Sequence, residues 1–290
     1  MGLIFYFQQL INGIGLGCTY ALVALGYALV FGVLNVLNMA HGDIFMIGAY
    51  VGLFAILFLG NSPILAILLS FTGTFILGMV MERLAIRPTR GTHLAPLITT
   101  IGVSIVLQNS IRITYGPEQH RMPVESAILS FGDITFPLIL IINLVVSILL
   151  MVGLALAIRK TKMGKAIQAV AENAEIASAY GIDVNRVMMT TVGLASGLGG
   201  LAGVLLGMTL GSISPFIGIN FGLKGLIILI VGGVGNIYGA MVTGVILGIT
   251  EVFSVTFLSS VYRDVIAFIV LIIILLLKPT GLFGEKIRVK

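Results

Sequence analysis

The sequence predicts an all-α, polytopic membrane protein with about eight or nine transmembrane helices. Of its 290 residues, 58% are hydrophobic and only 9% are charged, whereas a soluble domain carries about 25% charged residues. Apolar runs of about 20 residues recur from end to end, which is the length needed to cross a hydrocarbon core of roughly 30 Å. The short alternating segments of a β-barrel are absent, so helices that satisfy their own backbone polar groups are the expected spanning elements.

The spans follow one another without a linker, so we expect a single membrane domain over residues 1–290. The first span lacks the preceding Lys or Arg of a cleaved signal peptide, and the seventh is short. Taken in chain order, the predicted spans are 8–33, 44–60, 63–84, 94–115, 136–158, 187–210, 222–234, 238–258 and 263–278.

Basic residues predict how the bundle is oriented. Twelve of the 16 Lys and Arg residues lie in the segments 83–93, 159–186 and 278–290, and short basic loops stay on the cytoplasmic side of a membrane. Nine crossings then place the N-terminus outside and the C-terminus in the cytoplasm. The net charge of +5 is therefore an orientation signal, and no nucleic-acid partner is predicted. Segment 116–135, which contains proline and glycine turn signals, becomes the largest extracytoplasmic loop.

Glycines recur at four-residue spacing inside several spans. Small residues at this spacing let transmembrane helices approach closely. We therefore expect close helix packing there; a smooth surface on which helices slide during a conformational cycle is the alternative. The longest stripe consists of Gly199, Gly203, Gly207 and Gly211, and the pairs are Gly13 with Gly17, Gly193 with Gly197, and Gly244 with Gly248.

Residues 35–43, NVLNMAHGD, form a polar segment between the first two spans. One interpretation is an interfacial turn in which Asp43 caps the next helix. The other is a helix break inside the bilayer whose irregular backbone lines a transport route. His41 and Asp43 have no third ligand nearby, so neither a metal site nor a cofactor is predicted. The candidate residues for the route are Asn35, Asn38, His41, Asp43 and the distant Glu251.

Glu251 lies deep inside the predicted span 238–258. A bare carboxylate at that depth costs several kcal/mol. We expect Glu251 to be paired or to face water; the alternative is a protonated Glu that hydrogen-bonds a neighbouring helix. Lys224, Arg263 and Asp264 lie nearer the outer ends of their spans, where we expect them to snorkel to the interface.

Segment 163–186 predicts a short amphipathic helix in a basic loop. Its apolar positions fall on one helical face, and Gly181 is well placed to end the helix. Such a helix lies in the lipid interface or docks in a groove of a partner protein. The small residues of the face favour the protein groove. The residues of this face are Ile167, Val170, Ala174, Ala177 and Tyr180.

Three blocks of the sequence resemble a known transporter family. EIASAYG (175–181) resembles the "EAA…G" loop of ABC importer permeases, although Ile176 replaces its central Ala. The longer block AVAENAEIASAYGIDVNRV (169–187) is similar to branched-chain amino acid permeases of the LivH type. So are LNMAHGDIFMIGAYV (37–51) and SPFIGINFGLKGLIILIVGGVGNIYGAMVTGVILGITE (214–251). Together these blocks are spread over nearly the whole chain.

The resemblance implies an ABC importer permease fold in which the cytoplasmic loop 159–186 contains the coupling helix. It also implies a bacterial or archaeal cytoplasmic membrane and three kinds of partner. These are a second permease (a homologue or another copy), two cytoplasmic ATPase subunits and an extracytoplasmic binding protein. By this resemblance the residues that contact or position the ATPase are Glu172, Asn173, Glu175, Ala177 and Gly181.

The chain is not predicted to be an enzyme, because it contains no G-x-x-x-x-G-K-[ST] phosphate-binding motif. Two other functions stay open. Urea and short-amide permeases share the three blocks in outline. An ion-coupled secondary transporter usually needs several buried ionisable residues, of which Glu251 alone is evident, and it would leave the loop 159–186 unexplained.

Overall fold

The computed structural model describes residues 3–60, 62–91, 94–124, 127–131 and 134–284. Within them, seven helices are long and apolar enough to cross a membrane, and two shorter apolar helices accompany them. Each predicted span overlaps one of these helices, so the helical membrane fold is confirmed. The helices are α1 (Leu3–Leu34), α2 (His41–Phe58), α3 (Pro63–Met81), α4 (Ala95–Tyr115), α5 (Leu138–Lys160), α6 (Lys162–Glu172), α7 (Ala174–Ala179), α8 (Val184–Leu210), α9 (Ile217–Gly232), α10 (Ile237–Phe257) and α11 (Arg263–Leu277).

Short elements mark the two ends of the bundle. A π-helical turn (Glu82–Ile86) and 3-10 turns (Arg87–Thr89 and Ser260–Tyr262) extend or join the helices. We call the end that carries α6 and α7 the basic end, and the opposite end, which carries the strands, the strand end. The strands form two antiparallel pairs, β1 (His120–Arg121) with β4 (Ser212–Ile213), and β2 (Ile128–Phe131) with β3 (Ile134–Pro137).

The basic end brings the predicted cytoplasmic segments together. Arg90 donates a hydrogen bond to the Asn185 side chain at 2.8 Å, which joins segments 83–93 and 159–186. The chain after α11 returns to the turn between α9 and α10, where the Asn236 amide donates to the Phe283 carbonyl at 2.8 Å. Lys286, Arg288 and Lys290 lie outside the described residues. The orientation predicted from the basic residues requires these segments to lie at the same end of the bundle. That this end faces the cytoplasm stays a prediction.

Helix α8 is the centre of the bundle and α4 lies at its edge. In the most apolar stretch of α8, 94% of the residues are buried inside the chain, whereas in that of α4 only 11% are buried. Glycines let α2 pack directly on α8. Gly48 meets the backbone of Gly200, and a Cβ on Gly203 would collide with the carbonyl oxygen of Phe45. These contacts make α2 and α8 a closely packed pair.

The ends of the glycine stripe differ from its middle. Gly199 faces the ring of His41, and Gly207 faces Met122 and Ile213. Gly211 does not pack as part of the stripe, because α8 ends at Leu210 and Gly211 adopts a φ of +69°. That left-handed conformation favours glycine as a helix end. A second glycine contact joins α1 to α10, where Gly17 meets Gly248 backbone to backbone.

Two six-residue breaks, 35–40 and 211–216, separate α1 from α2 and α8 from α9. The first break turns back into the bundle. His41 begins α2 with its ring 4.6 Å from that of Tyr27, and Tyr27 lies about 10 Å along α1 from its end at 1.5 Å per residue. Asn35 turns the chain with a φ of +52°, a conformation that Asn tolerates better than most residues. The break 35–40 thus begins with the exposed Asn35 and turns into the bundle, where α2 begins at the buried His41. This course favours a helix break over an interfacial turn.

Candidate functional site

A cleft of about 230 Å³ opens where α2, α4 and α9 meet. The two breaks position it, because α2 and α9 begin beside each other. A Cβ on Gly218 would lie 2.6 Å from the carbonyl oxygen of Gly42, and one on Gly222 would lie 2.8 Å from its Cα. The cleft is lined by Tyr27, Met39, Gly42, Asp43, Ile101, Ser104, Gln108, Gly218, Ile219, Gly222, Leu223 and Leu226.

Asp43 supplies the only carboxylate among the lining residues of this cleft. The residue is 3% exposed. Its Oδ2 accepts a hydrogen bond from the Ser104 hydroxyl, whereas its buried Oδ1 has no hydrogen-bond partner. Asp43 lies in the first turn of α2, where the partial positive charge of a helix N-terminus stabilises an anion. The cleft therefore holds an acceptor atom that the protein leaves unpaired.

A row of polar residues along α4 faces the cleft region. Thr100 accepts a hydrogen bond from the Met39 N–H at 3.2 Å, and Gln108 donates to Ser104 at 3.2 Å. Arg112 places its guanidinium 4.6 Å from the centre of the Phe216 ring. Residues four apart lie on one helical face, so Thr100, Ser104, Gln108 and Arg112 form a polar stripe along α4.

The other predicted route residues do not line this cleft. His41 is fully buried behind it, with neither ring nitrogen hydrogen-bonded. Asn38 accepts a hydrogen bond from the Ala40 N–H at 3.1 Å and so stabilises the break. Asn35 lines a separate cavity of about 600 Å³ at the basic end. Across the described part of the chain, no three or more His, Cys, Asp or Glu residues are grouped to hold a metal ion.

Glu251 is paired, in a cluster away from the cleft. Its carboxylate accepts hydrogen bonds at 2.9 Å from both the Tyr20 hydroxyl and Lys224 Nζ. Arg263 Nε lies 2.8 Å from Oε1, close enough for an ion pair although the N–H is not aligned for a hydrogen bond. Lys224 also lies 3.1 Å from Asp264. The cluster carries two positive and two negative side chains, so the charges balance.

The expectation that Lys224 snorkels to the interface is wrong. The Lys224 side chain is only 6% exposed, because it turns inward from α9 to reach α10. Arg263 points toward the same carboxylate and is partly exposed, whereas Asp264 stays 65% exposed. Attraction to a buried carboxylate outweighs the attraction of the interface here. Because Lys224 and its partner Glu251 lie on different helices, the spacing of residues along the sequence does not reveal the pair.

The predicted amphipathic helix consists of two helices, α6 and α7. The chain breaks at Asn173, whose side chain accepts from the Ile176 N–H at 2.9 Å and begins α7. Gly181 ends α7 with a φ of +81°, as predicted. Because of the break, Tyr180 is 84% exposed and does not share the buried face.

A small apolar core fixes α6 and α7 to the main bundle. Ile167 and Val170 of α6 and Ala177 of α7 pack with Val33 of α1 and Val187 of α8. Ala177 is 3% exposed, so it is unavailable to a partner and supports the turn from beneath. The proposed coupling residues that stay exposed are Glu172, Asn173, Glu175 and Gly181.

The chain is similar to known transport permeases over nearly its whole length. Residues 9–275 match the family described as "Branched-chain amino acid transport system / permease component". The permease LivH of Escherichia coli K12, named for high-affinity branched-chain amino acid transport, is 38% identical over 97% of this chain and 96% of the relative. LivM of the same organism, also named as a permease of that transport, is 26% identical over 80% of this chain and 60% of the relative.

The fold has a counterpart among solved structures. PsaBC from Streptococcus pneumoniae, solved in complex with a Fab, superposes with a TM-score of 0.51 over 94% of this chain and 92% of that chain. The sequence identity is 13%, so this likeness concerns the fold alone.

Proposed function

The chain belongs to the family of branched-chain amino acid transport permeases, and we propose that it is the membrane subunit of an ABC importer for these amino acids. The observation that carries the proposal is the family match over residues 9–275. Separate ATPase subunits would drive transport, since the chain has no phosphate-binding motif of its own. A binding protein outside the membrane would deliver the substrate.

The exposed turn between α6 and α7 supports contact with an ATPase. Glu172, Asn173 and Glu175 are exposed there, while the small core beneath them joins the turn to α1 and α8. Because α8 packs backbone to backbone on α2, a displacement of the turn would be transmitted to the helix that carries Asp43. ATP binding can change the equilibrium between outward- and inward-open states only if the ATPases contact the two states differently.

The open side of the cleft supports a second permease subunit. Ile101 of α4 and Leu223 of α9 line the cleft and are 40% and 48% exposed, so this chain leaves the cleft open beside them. LivH and LivM of Escherichia coli are both named as permeases of one kind of transport, and both resemble this chain. We therefore favour a heterodimer with a homologous permease over a homodimer.

The relatives favour branched-chain amino acids over the other substrates. LivH and LivM are named for that transport, whereas motifs alone left urea and short amides open. An ion-coupled carrier usually needs several buried ionisable groups on its route, yet Asp43 is the only carboxylate that lines the cleft and Glu251 is paired elsewhere. We place the protein in a bacterial or archaeal inner membrane, with the basic end in the cytoplasm and the N-terminus outside.

Affinity purification from the native membrane tests this assembly. The tagged chain should recover an ATPase with a phosphate-binding motif, a second homologous permease and, under crosslinking, a binding protein. Recovery of this chain alone, in a detergent that keeps a known ABC complex intact, would overturn the proposal. Recovery of one permease type only would replace the heterodimer with a homodimer.

A further inference from the structure

We propose that the cleft binds the substrate's α-ammonium group at Oδ1 of Asp43, an inference that rests on the proposed amino-acid transport. Oδ1 of Asp43 is buried without a hydrogen-bond partner, on a residue that lines the cleft. An ionised acceptor of this kind needs a cationic donor to repay its desolvation.

The groups around Asp43 favour its ionised form and so oppose the desolvation that burial imposes on it. Ser104 donates to the other carboxylate oxygen, and the N-terminus of α2 adds partial positive charge. Gln108 holds Ser104 in place at 3.2 Å. The nearest cationic side chain on the stripe, Arg112, lies two helical turns beyond Ser104 and stacks on Phe216. It contributes attraction without occupying the free oxygen.

The walls suit a branched aliphatic side chain. Ile101, Leu223 and Leu226 are apolar lining residues of the cleft, and burial of a branched aliphatic side chain against such walls is favourable. The volume of about 230 Å³ lies below the roughly 300 Å³ at which pockets for drug-sized ligands begin. The cleft is therefore of a size for a small ligand such as a single amino acid.

The same chemistry explains selection against neutral amides. Urea and short amides offer only uncharged N–H donors, which form weaker hydrogen bonds to a carboxylate than an ammonium does. Urea and short amides also lack a branched side chain, so they would leave the space between the aliphatic walls unfilled. The ammonium and the branched side chain together define the ligand class of this cleft.

Cysteine protection tests the site without relying on the binding protein. Cys18 is the only cysteine and is buried, so Cys18→Ala with Ile101→Cys places one thiol in the cleft. In the purified permease–ATPase complex, leucine and 3-methylbutylamine should slow its labelling by a small maleimide, and 4-methylpentanoate should not. A thiol at the exposed Glu118 serves as the control that no ligand affects.

Asp43→Asn should raise the leucine concentration for half protection by about 10- to 100-fold, the share of affinity that a hydrogen bond to a charged group supplies. Ser110→Ala, on the same helix with its hydroxyl bonded to Val106, should leave that concentration unchanged. Equal protection by 4-methylpentanoate, or full protection in Asp43→Asn, would overturn the site. Leucine uptake by the complete complex without any protection would refute this site and leave the transport function standing; no uptake would refute the function itself.

Discussion

Lys224 Nζ lies 2.9 Å from Oε1 of Glu251, and the two side chains are 6% and 1% exposed. The pair joins α9 to α10, while Tyr20 connects it to α1 and Arg263 connects it to α11. Four helices therefore meet at one carboxylate. Because the cluster lies apart from the cleft, its geometry indicates a structural contact that fixes α9, one wall of the cleft.

Glu251→Gln should destabilise the complex strongly. Loss of one partner from a buried ion pair costs about 3–5 kcal/mol, since the remaining charge is left uncompensated. The thermal midpoint of the purified complex, monitored by size-exclusion chromatography, measures this loss of stability. Lys224→Met combined with Glu251→Gln should recover much of it.

Asp264→Asn is the matched control for the cluster. Asp264 is 65% exposed, and an exposed ion pair contributes only about 0–1 kcal/mol. Its midpoint should therefore stay close to that of the unchanged chain. Normal stability of Glu251→Gln together with abolished uptake would contradict a structural role and return Glu251 to the transport route.

Gly203→Ala should separate α2 from α8. The added Cβ would collide with the Phe45 backbone, and overpacking of this kind costs about 1–3 kcal/mol. Gly153→Ala on α5 is the control, because nothing lies within 4 Å of its added Cβ. Relative to the unchanged chain, Gly203→Ala should lower the thermal midpoint, whereas Gly153→Ala should raise it or change it much less. Equal midpoints would show that α2 and α8 are not packed as described.

Replacing Glu175 with Ala and Gly181 with Val should weaken ATPase association. Gly181 has a φ of +81°, and a side chain in the left-handed region costs roughly 1–2 kcal/mol, so the end of α7 would shift. Co-purification of the ATPase and ATP-dependent uptake measure the effect, with membrane insertion checked separately.

The strand end offers a matched pair for this experiment. Glu118→Ala with Gly116→Val removes a Glu and strains a glycine whose φ is +88°, but at the opposite end of the bundle. ATPase recovery should stay normal in this control. Equal recovery from both double variants would remove the α6–α7 turn from the ATPase contact.

The sequence predicted much of the fold because hydropathy and length determine a transmembrane helix. It also marked the break at 35–43, where polar residues interrupt apolar spans, but could not decide between a turn and an inward break. That decision depends on the contact between His41 and Tyr27. The division of segment 163–186 into two helices at Asn173 was missed. Asn is a preferred N-cap residue, so the sequence did contain a signal for a new helix there.

Several site residues were missed for a different reason. Ser104 lies four residues before Gln108 on α4, and this polar spacing within a membrane span could have been noticed. The unpaired Oδ1 of Asp43 and the inward turn of Lys224 depend on contacts between distant helices. Neither leaves a local pattern in the sequence.

ATP-dependent uptake of radiolabelled leucine tests the central claim most directly. Proteoliposomes would contain the complex purified with this chain, with the binding protein outside and ATP inside, and urea would be compared as a second labelled substrate. We expect ATP-dependent leucine uptake that is lost when this chain is omitted, and no urea uptake above the background. Leucine uptake driven by an ion gradient without ATP, or ATP-driven uptake of urea in place of leucine, would contradict the account.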